Sequence, residues 1–190
     1  HLLRHLVVRP AGEPVAQERL AGLPVLLDGL RDALIDQARH RVRDRGRRQP
    51  FLVHASTSEV FGGSSQTRQD EMTPFHPITP YGEHKAEAHF FLREERRTGG
   101  LETGIAISYN HESPLRPERF VSRKVSLGVN LLKLGRLETI RLGNLDSRRD
   151  WGFAGDYMEA FRQIAAHRKS EDFVLATGVS HSIRDFVETA

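Results

Sequence analysis

The chain has 190 residues, 38% hydrophobic and 28% charged, with a formal net charge of +3 and no cysteine. That length supports one domain with a real core, and the lack of cysteine excludes a disulfide framework, a thiol nucleophile and a cysteine-based zinc site. No apolar run approaches the length of a membrane span, and the opening HLLRHLVVRP is too short and interrupted for a signal peptide. A soluble, cytoplasmic protein is the default expectation, with no membrane partner. The chain opens on His1 and not on Met, which suggests a piece of a longer protein.

Residues 1–50 hold ten Arg against six Asp or Glu, and six of those Arg fall between Arg39 and Arg48. Such a run suits nucleic-acid phosphates. No aromatic platform or nucleic-acid motif accompanies it. The solvated end of a helix, where cations suit the dipole, is the better reading. Leu2 to Val8 is an interrupted apolar stretch that reads as a strand or its remnant. Arg9 to Glu18 reads as a loop. From Pro24 a helix is expected, with Leu23, Leu26, Leu27, Leu30, Leu34 and Ala38 at helical spacing. Pro24 suits the first turn and Gly46 a stop.

Phe51-Leu52-Val53 opens a short apolar run that predicts a buried strand. It ends in a hydroxyl-rich tip, Ser56-Thr57-Ser58, followed by Glu59. Gly62 to Thr79 is rich in Gly, Ser, Pro and Thr and predicts a loop. Pro80 then opens a helix carrying Tyr81 and Lys85. Residues four apart share a helix face, so a phenol and an ammonium point together at the strand tip. An ammonium beside a phenol favours the phenolate, which suits a tyrosine to accept a proton near neutral pH. A lone Y-x-x-x-K is common by chance; its pairing with S-T-S-E at a strand end is far less so. Gly82, Glu83 and His84 should face away from this pair and tolerate change.

Gly104 to Tyr109 alternates small and β-branched residues and predicts a second strand, with Asn110-His111-Glu112-Ser113-Pro114 at its end. Taken alone, His111 reads as a loop histidine bonded to a neighbour. No metal-ligand spacing surrounds it. Val121 to Leu134 predicts a helix, with Arg123 and Lys124 near its start. Thr139 to Leu142 reads as a strand and Gly143-Asn144 as a turn. Within Arg148-Arg149-Asp150-Trp151-Gly152, a guanidinium suits a phosphate, and a structural Arg–Asp pair beneath Trp151 is nearly as good a reading. Ala154 to His167 predicts a helix, Phe173 to Ala176 a strand, and Ser182 onward a helix begun by a Ser182–Asp185 capping box.

Five stretches, ASTSEVFG, TPYGEHK, YNHESPLRPERFVSRK, LGNLDSRRDWGFAGDY and DFVLATGVSHSIRDFVE, resemble the GDP-mannose 4,6-dehydratases, in the family's order and spacing. That family belongs to the extended short-chain dehydrogenase/reductases. NHESP followed by F-V-x-R-K and then R-D-W-G is specific to this group, whereas Y-x-x-x-K points only to the superfamily. The resemblance runs from about Phe51 to the end of the chain. It implies an α/β fold: part of a doubly wound, Rossmann-like parallel sheet with helices on both faces, plus part of a nucleotide-sugar-binding region. Residues 1–50 would be a divergent part of the dinucleotide-binding domain, 51–115 its catalytic part, and 116–190 nucleotide-sugar segments mixed with the last sheet elements. The family's glycine-rich turn, G-x-x-G-x-x-G, which brings backbone to a dinucleotide pyrophosphate, does not occur in the sequence. The chain is therefore expected to be the middle of a longer enzyme, with an exposed apolar sheet edge where earlier units would pack.

The resemblance also implies residue roles. Thr57, Glu59, Tyr81 and Lys85 would be catalytic. Lys85, His111 and Arg116 would contact NADP. Ser58, Asn110, Arg123, Lys124 and Arg149 would contact GDP-mannose, and no residue would bind metal. Tyr81 would take the proton of the sugar 4-hydroxyl with Thr57 hydrogen-bonded to that oxygen. Glu59 would remove the C5 proton and assist loss of water from C6. If strand geometry continued past Thr57, residues 57 and 59 would point to one side. A homo-oligomer is compatible with the family. Two further readings stand beside this one: a silent remnant that keeps the motifs, and an epimerase or reductase for another nucleotide sugar. Glu59 and NHESP weigh against the latter.

Overall fold

The computed structural model describes the backbone of Leu6–Val8 and residues 50–190. The helix expected after Pro24, the loop before it and the arginine run at 39–48 lie outside the described residues. Strand β1, Leu6–Val8, pairs in parallel with Ile140–Leu142, here β5.

Three strands build the sheet that organises the rest. They are β2, Phe51–Thr57; β3, Glu102–Ser108; and β7, Asp172–Leu175. They lie in the order β2-β3-β7, all parallel. The central strand β3 is buried from Thr103 to Ser108, as a strand covered on both faces must be. Helix α1, Pro80–Arg97, covers the face that carries Ser56, Ile107 and Asp172. Side chains alternate along a strand, so Gly104 faces the other way. A Cβ there would lie 2.5 Å from Ile164 of helix α3, Ala154–His167. Helices therefore pack on both faces of a parallel sheet, as expected.

The sequence explains where α1 begins. Pro80 holds the first helical position, and the Thr79 hydroxyl accepts from the Gly82 N–H at 3.0 Å. Under α1, Val60, Phe61, Ala86 and Ile107 form a core closed by Phe75 and Val174. The loop bearing Phe75 docks along β7, where the Glu71 carboxylate accepts from the Val174 N–H at 2.8 Å. Strand β2 pairs only with β3 among the described residues, and Leu52 on it is 40% exposed.

A second core lies between α2, Val121–Lys133, and α4, Ile183–Thr189. It buries Val125, Val129, Ile140, Leu142, Leu145 and Val187. The Ser182–Asp185 capping box expected before α4 is present with both hydrogen bonds. Beside this core stands a small mixed sheet of β4, Asn110–Glu112; β6, Arg148–Phe153; and β8, Ser180–Ser182. Strands β4 and β6 are parallel, β6 and β8 antiparallel. Its strands fall in polar stretches without an apolar alternation, so hydrophobic pattern does not reveal them.

Candidate active site

Strands β2 and β3 end side by side, with Thr57 in register with Ser108. In open parallel sheets ligands sit at this carboxyl edge. Strand geometry stops at Thr57. The chain then turns into a 3-10 helix, Ser58–Phe61, and the Thr57 hydroxyl caps it by accepting from the Glu59 N–H at 3.3 Å. The expected same-side alternation of Thr57 and Glu59 is thus replaced by a cap. A hydroxyl ends the strand, and the carboxylate-bearing residue is the second of the turn that it caps.

The first turn of α1 rests on that 3-10 turn. A Cβ on Gly82 would come within 2.8 Å of the Glu59 carbonyl oxygen. Tyr81 stands at this contact and is 55% exposed. One turn later the Lys85 ammonium donates to the Ala55 carbonyl at 2.9 Å and lies 5.9 Å from the Tyr81 ring centroid. Burial lowers the Lys85 pKa from the ordinary lysine range. Thr57, Ser58, Glu59, Tyr81 and Lys85 are therefore carried by the end of β2, the 3-10 turn that follows it and the first turns of α1, which are in direct contact. Gly82 is buried in that contact, so it does not face away as expected; Glu83 and His84 are exposed.

A second group follows β3. His111 lies on β4, its Nδ1 donating to the Tyr109 carbonyl at 2.9 Å. A carbonyl only accepts, so Nδ1 carries a proton. The ring stacks on Tyr157 at 4.7 Å. Arg116 pairs with Glu112 at 3.0 Å, and its guanidinium lies 3.7 Å from the Phe120 ring centroid. The same carboxylate accepts from the Ser122 hydroxyl at the start of α2. Asn110 is half-buried on β4, while Arg123 is half-buried and Lys124 exposed in the first turn of α2.

Arg149 stands apart on β6, exposed, with Nη1 donating to the carbonyl of Arg148. The expected Arg–Asp pair beneath Trp151 is not formed. Arg148 donates to Ser180, and Asp150 accepts from Thr177 and Gly178. Backbone donors in a tight turn satisfy that carboxylate in place of a guanidinium.

The sequence marks Ser56 only as part of the hydroxyl-rich tip and does not single out His89 or Asp172; the three form a buried chain behind Lys85. The available signal was spacing, since His89 follows Lys85 by four and shares its helix face. A groove of about 970 Å³ is lined by Phe75, Phe90, Arg93 and Asp172 near the other end of α1. It includes none of the hydroxyl, phenol and amine groups above. Among the described residues no cluster of His, Cys, Asp or Glu could hold a metal, and no helix is long and apolar enough to cross a membrane.

Comparison with solved structures supports the fold. A Pseudomonas aeruginosa protein named RMD, complexed with NADPH, superposes with a TM-score of 0.74 at 22% identity, over 97% of this chain and 63% of that one. A dTDP-glucose 4,6-dehydratase from Bacillus anthracis, in complex with NAD, gives 0.70 at 22% identity, over 82% of this chain and 47% of that one. The human GDP-mannose 4,6 dehydratase is 47% identical over 137 residues, 72% of this chain and 37% of its own length. The Sinorhizobium fredii enzyme is 43% identical over 139 residues, 73% of this chain and 40% of its own length. The chain thus spans well under half the length of these relatives. A family model described as GDP-mannose 4,6 dehydratase matches residues 16–190, and the chain belongs to that family.

Proposed function

We propose that the residues around Thr57 and Tyr81 are the catalytic half of a GDP-mannose 4,6-dehydratase, converting GDP-mannose to GDP-4-dehydro-6-deoxymannose. The observation that carries this is the seating of the α1 first turn on the Thr57–Phe61 cap, with Lys85 docked on Ala55 beside Tyr81.

The side chains suit the nicotinamide end of NADP. Lys85 keeps donor capacity beyond Ala55, since an ammonium has three N–H groups. His111 keeps a free Nε2, and Arg116 is oriented by Glu112. These residues would hold the cofactor. Bound there, it supplies transient oxidation at sugar C4 and the return reduction at C6.

The chain's own residues handle protons. Tyr81 as phenolate removes the proton of the 4-hydroxyl. The Thr57 hydroxyl has its lone pair on the Glu59 N–H, so its proton remains to bond the sugar oxygen. Glu59 removes the proton from C5, acidified by the neighbouring carbonyl, and protonates the departing 6-hydroxyl, which leaves as water. The proton that Tyr81 took from the 4-hydroxyl then returns to C5 as C6 is reduced, so the product keeps its C5–H. Ser58, Asn110, Arg123, Lys124 and Arg149 orient the nucleotide sugar, the three cations through its diphosphate. On this reading the enzyme works in the cytoplasm, either alone or as a homo-oligomer.

The test compares two variants of the protein in a mixture with NADP and GDP-mannose. Glu59→Gln should keep nucleotide-sugar binding and build up a 4-keto sugar that retains its 6-hydroxyl, because a neutral amide takes no proton from C5. Tyr81→Phe should give no keto sugar at all. If Glu59→Gln forms the 6-deoxy product at the parent rate, Glu59 is not the elimination base, and an epimerase describes the site better. A parent protein without turnover would leave the silent remnant as the better account.

A further inference from the structure

Helix α1 carries more chemistry than Tyr81 and Lys85. His89 follows on the same face and is fully buried at 0% exposure. Its Nδ1 lies 3.2 Å from the Ser56 hydroxyl on β2, and its Nε2 lies 3.0 Å from the Asp172 carboxylate on β7. Strand β3 lies between β2 and β7, so this one imidazole spans the sheet. Ser56 sits between Ala55, whose carbonyl receives Lys85, and Thr57, which caps the catalytic turn.

The carboxylate end of the chain is itself fixed. Arg93 and Arg96, one and two turns further along α1, both pair with Asp172. Phe75 closes the imidazole from its edge at 4.7 Å and lies under the Arg93 guanidinium. His54 from the sheet and Lys85 from α1 also bear on this pocket, and His89 acts on His54 through its charge. An imidazole with both nitrogens committed and no room to turn has one orientation. It therefore fixes the rotation of α1 about its own axis against β2.

We propose that His89 is a positioning residue for Tyr81 and Lys85, holding them over the end of β2 through the chain Asp172–His89–Ser56. Catalytic groups need placement to within about 0.5 Å, and β2 and α1 bring theirs from residues far apart in sequence. Without the tie, α1 remains bound by its apolar face but is free to roll. The Lys85 ammonium then leaves the Ala55 carbonyl for solvent.

This inference rests on the assignment of Tyr81 and Lys85 above, and its test is independent of turnover. The lysine side-chain carbons of the labelled protein are followed by NMR through a pH titration, with Lys85→Arg identifying the Lys85 signal. Ser56→Ala removes one hydroxyl and leaves the Asp172 pairs in place. It should raise the Lys85 titration toward the ordinary lysine value, and Ser56→Thr, which restores the hydroxyl, should return it. His89→Asn should give the same rise. If it does not fold, Ser56→Ala and Ser56→Thr decide alone. A lower melting temperature with the Lys85 titration unmoved would show a purely structural tie and overturn the proposal, as would no change in either. A parent protein that fails to convert GDP-mannose would count against the proposed function and leave the Lys85 measurement standing.

Discussion

His54 shows how strongly one buried site can bias protonation. It shares the α1 face of β2 with Ser56, and its Nε2 is buried without a hydrogen-bond partner. Burial, then the charges of Lys85 and His89, lower its pKa from 6.5 to about 4. The folded chain therefore keeps this ring neutral in a range where the unfolded chain protonates it. Between those two values the unfolded state binds more protons, so stability rises with pH across the window. Asp172 acts in the same sense but lower down, since its folded pKa is also depressed. Burial opposes its charge, but hydrogen bonds from His89, Arg96 and Arg93 outweigh that and hold its carboxyl well below the usual range. Its contribution is present above the ordinary carboxylate pKa and is lost only as pH falls through the lowered value. The two groups thus separate by pH. His54→Gln should remove part of the rise in urea midpoint between pH 4 and 6.5. Equal slopes for parent and variant would mean that His54 is protonated in the folded state.

The meeting of α1 with the 3-10 turn is decided by a residue without a side chain. Alanine at position 82 would favour the helix by about 1 kcal/mol on propensity alone. Its Cβ would stand 2.8 Å from the Glu59 carbonyl oxygen and 3.2 Å from Pro77 and Thr79. The nearest atom is backbone and cannot swing aside, so the clash should win. Gly82→Ala should cost about 1–3 kcal/mol, the usual range for overpacking, whereas His84→Ala on the exposed side should change stability by less than about 0.5 kcal/mol. Thermal or urea denaturation of the two variants checks both, and a neutral Gly82→Ala would show that α1 can lift from the turn at no cost. Elements with strong local signals were legible in the sequence. The apolar run at Phe51, Thr79-Pro80 before the helix and Ser182 with Asp185 each announce a boundary that the structure keeps. What was not legible depends on distant partners. Gly82 looked like a tolerant position because its constraint lies in the Glu59 carbonyl, and nothing near His89 marks it because its partners Ser56 and Asp172 are far away in sequence. The polar strands β4, β6 and β8 exist through pairing with one another rather than through any pattern of their own.

Across the whole molecule the parallel sheet and the small mixed sheet meet where the chain leaves β7 for β8. Asp150, buried on β6, holds this crossing. Its carboxylate accepts from the Thr177 N–H at 3.1 Å, the Thr177 hydroxyl at 2.9 Å and the Gly178 N–H at 2.8 Å. Gly178 has φ +80, a left-handed turn that suits glycine. The same charge is felt by the phenols between the sheets. Burial, then Asp150 and Tyr109, push Tyr157 up to about 12, and burial, then Asp150, raise Tyr109. Tyr157 is the ring on which His111 stacks, so the carboxylate that joins the sheets also lies behind the second group of site residues. Asp150→Ala would strip the turn of its acceptor, which should cost about 3 kcal/mol, as for buried hydrogen bonds to a charged group. It should also remove a negative charge that disfavours both phenolates. In an absorbance titration of the folded variant, the phenols of Tyr109 and Tyr157 should ionise at lower pH than in the parent. Asp150→Asn separates the two effects, because it removes the charge and keeps an acceptor for the turn. It should lower the phenol titrations with a smaller loss of stability. Phenols that titrate as in the parent in both folded variants would place the Asp150 charge out of their reach and leave burial, with Tyr109 acting on Tyr157, as the cause of their shift.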